Sequence, residues 1–396
     1  MLYNLVDRLQ NALADWGLLW LVQVVFQLEF RAFAATLLAF VAVLVSGPPT
    51  IRRLIGLRVG DVAEFHHEGV NELMKGKAET PTMGGLFLCG SMLLSILLLA
   101  DLSNRFVQLA IVLVIWLCIL GGFDDYLKIT AARRGPGSRD GLFAWEKLLF
   151  QLGIGVLVAF ALQRELAFRA PEMLSLNLPF QRTFEPAAVS ETLLQAPQVS
   201  TWLLGIPPWA FIVGGMLWIA FCSNAVNITD GMDGLAGGTS LIAAIAMMVF
   251  CFIAGSSRAA YFLLVPYVPG SGELMVVAGA MAGACLGFLW FNCKPAKVFM
   301  GDTGSLPLGG LLGFIALAIR QEFLFILVGA VFFMEIGSVM LQVAWFRSTG
   351  GRRIFRCSPI HHHFHLSGWS EQQVVTRFWV ITVVMAMLAF ASIKLR

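Results

Sequence analysis

A series of long apolar runs dominates this sequence and restricts it to one class of fold. About 20 apolar residues suffice for a helix to cross the hydrocarbon core of a bilayer. The chain is 58% hydrophobic and only 13% charged, whereas soluble domains average about 25% charged residues. We therefore predict an all-α polytopic membrane protein with about ten transmembrane helices. The predicted spans are 30–48, 82–100, 106–123, 148–163, 208–226, 239–255, 274–291, 306–319, 323–346 and 377–393.

The remaining segments are consistent with one integral membrane domain over residues 1–396. Residues 1–29 contain a short apolar stretch, and we predict that they form an interfacial segment. Residues 164–207 form the longest loop, and their prolines and mixed polarity predict an extended periplasmic loop. The seven cysteines show no CxxC spacing, so no disulfide framework is expected.

Basic residues are distributed unequally between alternate loops. The loops that follow every second span hold 17 Lys and Arg residues, whereas the other loops and the termini hold nine, with Arg31 at a boundary. Loops rich in Lys and Arg remain in the cytoplasm. We therefore predict that both termini face outward and that the first set of loops is cytoplasmic. These loops are 51–81, 124–147, 227–238, 292–305 and 347–377.

Unusual residues are concentrated in the predicted cytoplasmic loops. They combine carboxylates, lysines, histidines and flexible glycines, a pattern that the predicted outer loops lack. We therefore expect an active-site cleft on the cytoplasmic side. The stretches are "KGKAETPTMGG" (75–85), "GGFDDYLK" (121–128), "NAVNITDGMDGLAGG" (224–238), "KPAKVFMGDTGSLPLGG" (294–310) and "RRIFRCSPIHHHFH" (352–365).

Several aspartates lie at the predicted inner ends of spans. If brought together, they would repel one another unless a cation neutralised them. Hard carboxylate oxygens suit Mg²⁺, which usually combines one or two carboxylates with phosphate oxygens and waters. The sequence therefore indicates an Mg²⁺ site at the membrane surface. The aspartates are Asp124, Asp125, Asp230, Asp233 and Asp302.

Each aspartate taken alone has a simpler explanation. It could be a solvated charge at a helix end, and Asp124 could pair with Lys128 four residues on. If the segment from Asn227 to Asp233 is helical, Asn227, Asp230 and Asp233 share one face. The recurrence of acids in separate loops of one side favours a common site.

Glycines and lysines in the same loops suit a phosphorylated ligand. Gly301 and Gly304 lie on either side of Asp302 and could let backbone N–H groups approach an anion. Lysines complement phosphates as point charges, although cytoplasmic retention also explains lysines in these loops. No Walker A pattern occurs in the sequence, which disfavours an ATPase of that type. The lysines are Lys77, Lys128, Lys147, Lys294 and Lys297.

Histidines and one buried acid complete the candidates. Three consecutive side chains on a helix point about 100° apart, so His361, His362 and His363 are poorly placed to converge on a zinc ion. Donation to a phosphate or a sugar is the better interpretation. Glu335 is a charge inside an apolar run, and such a residue is either functional or paired with a basic group.

This combination of carboxylates, lysines and glycine turns is typical of phosphoryl transfer, and its position at a membrane indicates one cytosolic and one lipid substrate. The motifs "TPTMGG", "FDDYLK", "NAVNITDGMDGLAGG", "VFMGDTGSLPLGG" and "PIHHHF" resemble the signature blocks of the polyprenyl-phosphate N-acetylhexosamine-1-phosphate transferases. The C-terminal "RIFRCSPIHHHFHLSGW" resembles the phospho-N-acetylmuramoyl-pentapeptide-transferase branch of that family. The resemblance extends from about residue 30 to residue 396.

The resemblance implies an Mg²⁺-dependent enzyme of peptidoglycan synthesis. It would transfer phospho-N-acetylmuramoyl-pentapeptide from UDP-MurNAc-pentapeptide to undecaprenyl phosphate, giving lipid I and UMP. The resemblance also implies a homodimer in the bacterial cytoplasmic membrane, with the active site facing the cytoplasm. The bilayer is a further partner, and no nucleic acid is expected.

The resemblance also assigns roles to individual residues. Asp124, Asp125 and Asp302 would be catalytic carboxylates and Mg²⁺ ligands, with Asp124 as the base for the lipid phosphate. The block before "TPTMGG" departs from the family pattern, so Lys75 and Lys77 both remain candidates for the pocket lysine. The other active-site residues would be Lys128, Lys147, His361 and His362. The substrate-binding residues would be Lys77, Asn227, Asp230, Asp233, Phe299, Gln342 and His363, with Phe299 stacked on uracil.

Two other functions share some of these features. A sibling transferase that uses UDP-GlcNAc would share most motifs, but "RIFR" followed by His361–His363 argues against it. A cation-coupled transporter would hold its acids near the membrane midplane. The acids of this chain lie at span ends beside glycines and lysines, which favours an enzyme.

Overall fold

The computed structural model describes residues 1–56, 80–134, 141–178, 181–185 and 198–394, and these are predominantly helical. Strands β1 (Ser175–Leu176) and β2 (Leu204–Gly205) form a short antiparallel pair in the predicted outer loop. The helices are α1 (Leu2–Arg8), α2 (Gln10–Asp15), α3 (Leu19–Val22), α4 (Leu28–Gly56), α5 (Gly85–Leu99), α6 (Arg105–Arg134), α7 (Ala144–Arg169), α8 (Pro208–Thr229), α9 (Leu235–Gly255), α10 (Ser257–Leu263), α11 (Leu274–Asn292), α12 (Asp302–Ala318), α13 (Glu322–Val328), α14 (Ala330–Ser348), α15 (Ile360–Leu366) and α16 (Glu371–Lys394).

The apolar helices correspond to the predicted spans. Among the described residues, eight helical segments are long and apolar enough to cross a membrane, and α5 and α12 are shorter apolar helices. Each predicted span coincides with one of these elements, with α13 and α14 together covering the ninth. The prediction of an all-α polytopic membrane protein is confirmed.

The first span extends beyond its predicted end. Pro48 and Pro49 lack the N–H groups that would bond to carbonyls four residues earlier, which usually ends or kinks a helix. Helix α4 nevertheless continues through both prolines. Ile51 and Leu54 lie beyond them and are 8% and 5% exposed, so the extra turns bury apolar side chains in the core.

The ninth predicted span is broken at Gly329, where φ is −90° and ψ is 16°. Its N–H donates to Phe325 O at 2.7 Å, and its carbonyl accepts from Phe333 N at 3.1 Å. A side chain at this position would be crowded, because a Cβ atom would lie 3.1 Å from Phe325 O and 3.2 Å from the Phe333 ring. The absence of a Cβ lets the two rings pack edge to face with centroids 5.8 Å apart.

Helices α11 and α12 form the centre of the bundle. Helix α11 packs mainly against α4 and α9, and α12 packs mainly against α6 and α8. Every residue of α12 is buried, from Asp302 to Ala318. The N-terminus of α12 therefore begins inside the protein, and its first side chain, Asp302, is surrounded by other helices.

Glycines allow α6 and α12 to approach within backbone contact. A Cβ atom at Gly121 would overlap the carbonyl group of Asp302, and one at Gly85 on α5 would overlap the backbone of Gly304. Asp124 follows Gly121 by one helical turn. The close crossing therefore places Asp124 beside the start of α12.

We predict that Gly121→Ala weakens this crossing, whereas Gly122→Ala does not. The alanine at 121 must displace the Asp302 backbone, and overpacking of this kind costs about 1–3 kcal/mol. A Cβ atom at Gly122 lies 3.7 Å from Thr303 Oγ1, an ordinary contact. Thermal unfolding of both variants in the same detergent measures the difference. Equal midpoints for the two variants would contradict the close crossing.

Candidate active site

Three aspartates from two helices converge at the crossing of α6 and α12. One carboxylate oxygen each from Asp124, Asp125 and Asp302 lies within 4.8 Å of the other two. The three residues are 0%, 3% and 8% exposed. The structure therefore brings together acids that are 177 residues apart in the chain.

Asp125 caps the N-terminus of α12. Its Oδ1 accepts from Asp302 N at 3.1 Å, and its Oδ2 accepts from Thr303 N at 2.9 Å and from Thr303 Oγ1 at 2.6 Å. The first N–H groups of a helix have no partner within the helix, so a carboxylate there stabilises it. Gly301 has φ +72°, and a Cβ atom on it would lie 2.5 Å from Asp125 Oδ2. Glycine is therefore required where the chain enters α12.

Two lysines bridge the other two aspartates. Lys128 Nζ lies 2.8 Å from Asp124 Oδ2 and 3.3 Å from Asp302 Oδ2. Lys147 Nζ lies 2.9 Å from Asp124 Oδ2 and also bonds to Asp302 Oδ2. Asp124 Oδ1 accepts from Leu142 N at 2.7 Å. The pairing of Asp124 with Lys128 is thus one part of a larger charged cluster.

The cluster has an excess of negative charge when all its groups are ionised. The carboxylates of Asp124, Asp125 and Asp302 outnumber the ammonium groups of Lys128 and Lys147 by one. An uncompensated charge away from water is costly. A divalent cation between the carboxylates would offset this excess, and hard oxygen donors fit Mg²⁺. The cluster could therefore hold a metal ion.

Asn227 joins the cluster from α8. Its Nδ2 donates to Asp302 Oδ1 at 2.7 Å and to Ser305 Oγ at 2.9 Å. Helix α8 ends at Thr229, so Asn227, Asp230 and Asp233 do not lie on one face of a single helix. Asp230 lies in a turn with φ −79° and ψ 52°, and Gly234 follows with φ +83°. Gly234 directly precedes α9, and glycine adopts this left-handed conformation without steric cost.

Asp230 lies close enough to the cluster for its ionisation to be affected. It is half-buried in the turn after α8. Removal from water and the negative charges of Asp302, Asp125 and Asp233 raise its pKa to about 8, against a hydrogen bond from the backbone of Gly301. Asp230 therefore keeps its proton to a higher pH than a free aspartate does.

Asp233 serves a different part of the site. Its Oδ2 accepts from Ala296 N at 3.2 Å, and its N–H donates to Glu371 Oε1 at 3.1 Å. Glu371 Oε2 also pairs with Lys294 Nζ at 2.7 Å. These contacts fasten the loop before Phe299 to α16. Asp233 is therefore not one of the clustered carboxylates, and Lys294 pairs with Glu371.

Phe299 is held beside the "TPTMGG" segment. Its N–H donates to Pro81 O at 2.8 Å, and its carbonyl accepts from Gly84 N at 2.8 Å. Phe299 is half-buried, so part of it stays accessible to a ligand. The predicted pocket lysine, Lys77, and its alternative, Lys75, lie outside the described residues.

The histidine segment packs against the turn that carries Asp230. His361 Nδ1 lies 3.0 Å from Glu335 Oε2, and both side chains are fully buried. A Cβ atom on Gly231 would overlap the His361 ring. The His362 ring lies 4.2 Å from that of His361, centroid to centroid. Glu335 is therefore paired with a basic residue, one of the two interpretations its sequence position allowed.

Gln342 organises the loop before the histidines. Its Oε1 accepts from Ile354 N and Phe355 N at 3.0 Å each, and its Nε2 donates to Phe355 O at 3.2 Å. His363 Nδ1 accepts from Arg356 N at 3.1 Å in the same loop. The observed contacts of Gln342 are therefore with the backbone of this loop, and its predicted contact with substrate stays a prediction.

Sequence analysis missed three groups that shape the cluster. Thr303 bonds to Asp125, and Ser305 Oγ accepts from Asn227 and donates to Gly301 O at 2.9 Å. Hydroxyl residues in a first helical turn are a capping signal, so "GDTGS" could have indicated both. No sequence signal points to the Leu142 N–H, because only the fold places it at Asp124.

We predict that Asp230→Asn changes how stability depends on pH. The pKa of Asp230 is raised in the folded state, so its contribution to stability is complete below about pH 4 and is lost as the pH rises towards about 8. Asparagine does not ionise, so the Asp230→Asn variant does not lose this stability as the pH rises. The thermal unfolding midpoint of Asp230→Asn minus that of the unmodified protein, both measured in EDTA, should therefore increase from about pH 5 to about pH 8.5.

The matched control is Gln10→Ala on α2, which changes no ionisable group and should shift the midpoint equally at every pH. If the difference in unfolding midpoint between Asp230→Asn and the unmodified protein stayed constant or decreased with pH, the raised pKa would be contradicted.

Comparisons with known proteins agree with the site's chemistry. The family described as "Glycosyl transferase family 4" matches residues 107–320, which include most of α6 and all of α7 to α12. The chain is 39% identical over 396 residues to the phospho-N-acetylmuramoyl-pentapeptide-transferase of Desulfotalea psychrophila, covering 100% of both chains. It is 42% identical over 369 residues to the enzyme of that name from Maridesulfovibrio salexigens, covering 93% of this chain and 94% of the relative. The chain belongs to glycosyl transferase family 4, in the group of the phospho-N-acetylmuramoyl-pentapeptide-transferases.

Proposed function

We propose that this protein transfers phospho-N-acetylmuramoyl-pentapeptide from UDP-MurNAc-pentapeptide to undecaprenyl phosphate, producing lipid I and UMP in peptidoglycan synthesis. The observation that carries the proposal is the buried cluster of Asp124, Asp125 and Asp302, crossed by two lysines. Similarity over the whole chain to enzymes named for this transfer supports the same substrates. The same similarity favours UDP-MurNAc-pentapeptide over UDP-GlcNAc as the sugar donor.

We place Mg²⁺ at the cluster, held by Asp302 and Asp124 with Asp125 beside them. When bound, the ion would neutralise charge on the diphosphate. Asp125 is already engaged in three hydrogen bonds to the start of α12. Its larger contribution is therefore to fix the position of Asp302.

Asp124 is the proposed base for undecaprenyl phosphate. It accepts the proton of the lipid phosphate, whose oxygen then attacks the phosphorus bonded to the sugar. The bond from that phosphorus to the bridging oxygen breaks, and UMP leaves with the bridging oxygen. Lys128 and Lys147, which contact Asp124, lie where they can shift to the phosphate oxygens as charge moves.

The remaining predicted residues are proposed to bind the nucleotide and the sugar. Phe299 would stack on uracil through its accessible part, and Asp230 and Asp233 lie on the turn beside it. His361 packs on that turn at Gly231, and the ring of His362 lies beside that of His361. Asn227 and Gln342 act mainly by holding Asp302 and the histidine loop in place.

We further propose that the site faces the cytoplasm of the bacterial inner membrane and that two copies associate as a homodimer. The distribution of Lys and Arg between loops supports the orientation. We propose that residues 1–29 lie at the membrane interface and that residues 164–207 form a periplasmic loop.

The substrate assignment is tested by supplying the purified protein with undecaprenyl phosphate, Mg²⁺ and one UDP-sugar at a time. UMP should form with UDP-MurNAc-pentapeptide and not with UDP-GlcNAc. UMP formation only with UDP-GlcNAc would assign the chain to the sibling reaction.

We predict that Asp124→Asn and Asp302→Asn each lower kcat by at least about 100-fold, the effect expected when a buried group that stabilises the transition state is removed. Glu165→Gln is the matched control, because among the described residues Glu165 pairs with Arg169 at the other end of α7, and partly exposed pairs contribute little. UMP formation measures turnover, and gel filtration in detergent confirms folding. A folded variant with unmodified turnover would remove that aspartate from the mechanism.

A further inference from the structure

A second layer of polar contacts lies one helical turn below the charged cluster. Gln151 follows Lys147 by four residues on α7, and Asn224 precedes Asn227 by three residues on α8. Leu306 follows Asp302 by four residues on α12. Each of the three helices therefore presents a polar group directly beneath a residue of the cluster.

These groups are joined by hydrogen bonds across the three helices. Asn224 Nδ2 donates to Gln151 Oε1 at 2.6 Å and to Ala220 O at 2.8 Å. Gln151 Nε2 donates to Ser223 Oγ at 3.5 Å, and Ser223 Oγ donates to Leu306 O at 3.0 Å. The chain of bonds thus runs from α7 through α8 to α12.

Burial makes the layer sensitive to geometry. Gln151 and Ser223 are 0% exposed. Removing an amide from water costs free energy, and a hydrogen bond inside the protein offsets this cost. A buried amide that loses its partner is therefore destabilising. The two amides therefore resist separation, and they fix the spacing of α7 and α8 at this level.

Among the described residues, the side chains of the first two turns of α7 are mostly exposed. Gln151 is the first buried residue of the helix. Trp145, Leu149 and Phe150 are 64%, 59% and 46% exposed. On the exposed face, Trp116 Nε1 donates to Phe150 O at 3.2 Å, and Phe143 N donates to Glu146 Oε2 at 3.0 Å within the first turn. The first turns of α7 carry Lys147, so the buried amide bond anchors the segment that delivers this lysine.

We propose that Gln151 and Asn224 form a positioning pair that sets the distance of Lys147 from Asp124 and Asp302. The proposal rests on the proposed function for its kinetic consequence. Neither amide touches the reacting groups. Both act through the first turn of α7 and the last turns of α8, whose residues Lys147 and Asn227 contact Asp302.

The kinetic test uses substitutions that break the pair and one that reverses it. Gln151→Leu and Asn224→Leu should each lower kcat about 10- to 100-fold, the scale expected for displacement of a group at the reacting centre. The KM for the UDP-sugar should change little, because neither amide belongs to the nucleotide-binding turn. Gln151→Asn and Asn224→Gln should each lose activity, and the double variant should recover it, since the reversed amides span the same gap.

Trp218→Phe is the matched control. It removes a bond of 3.0 Å from Trp218 Nε1 to Gly313 O, which also joins α8 to α12 but lies about two turns farther from the cluster. This variant should keep its kcat. Unchanged kcat in the leucine variants, or a reversed pair no more active than its single variants, would overturn the proposal.

A second measurement is independent of turnover. Brief acetylation followed by mass spectrometry reports how firmly each lysine is held. In Gln151→Leu, Lys147 should react severalfold faster than in the unmodified protein, whereas Lys294, paired with Glu371, should not change. Equal rates for Lys147 in both proteins would overturn the proposal even if the protein had no transferase activity. Absence of UMP from the unmodified protein would instead count against the proposed function.

Discussion

Burial of ionised groups where α6 meets α12 is the constraint on which the rest of the structure depends. Asp124, Asp125 and Asp302 are almost fully removed from water at the edge of an apolar bundle. Such a cluster is stable only if positive charge and hydrogen bonds compensate it. Lys128 and Lys147 supply the charge from two helices, which ties α6, α7 and α12 together at one point.

The same contacts that stabilise the bundle also prepare it for chemistry. Asp125 stabilises the start of α12 and thereby holds Asp302 in place. Gly121 lets α6 approach closely enough for Asp124 to reach the same point. The buried amide of Gln151 holds α7 one turn below. A site arranged before the substrate arrives needs little reorganisation during phosphoryl transfer.

Composition predicted the membrane spans well, because a long apolar run has few alternatives to a transmembrane helix. Motifs also indicated the clustered aspartates, because several carboxylates at the ends of apolar spans suggest a shared cation or basic partner. Local patterns could not predict contacts made by distant segments. The turn at Asp230 and the capping by Asp125 depend on neighbours remote in sequence. Asp233 and Gln342 bond to other segments of the protein, which the sequence did not indicate, and their contacts with substrate stay predictions.

The central claim is that acids from α6 and α12 bind one divalent ion at the membrane surface. Anomalous scattering from crystals grown with Mn²⁺ in place of Mg²⁺ tests this claim most directly, since Mn²⁺ also accepts carboxylate oxygens. We predict one strong peak between Asp124 and Asp302, with a carboxylate oxygen of each within about 2.5 Å. A peak elsewhere, with none at these aspartates, would contradict the account.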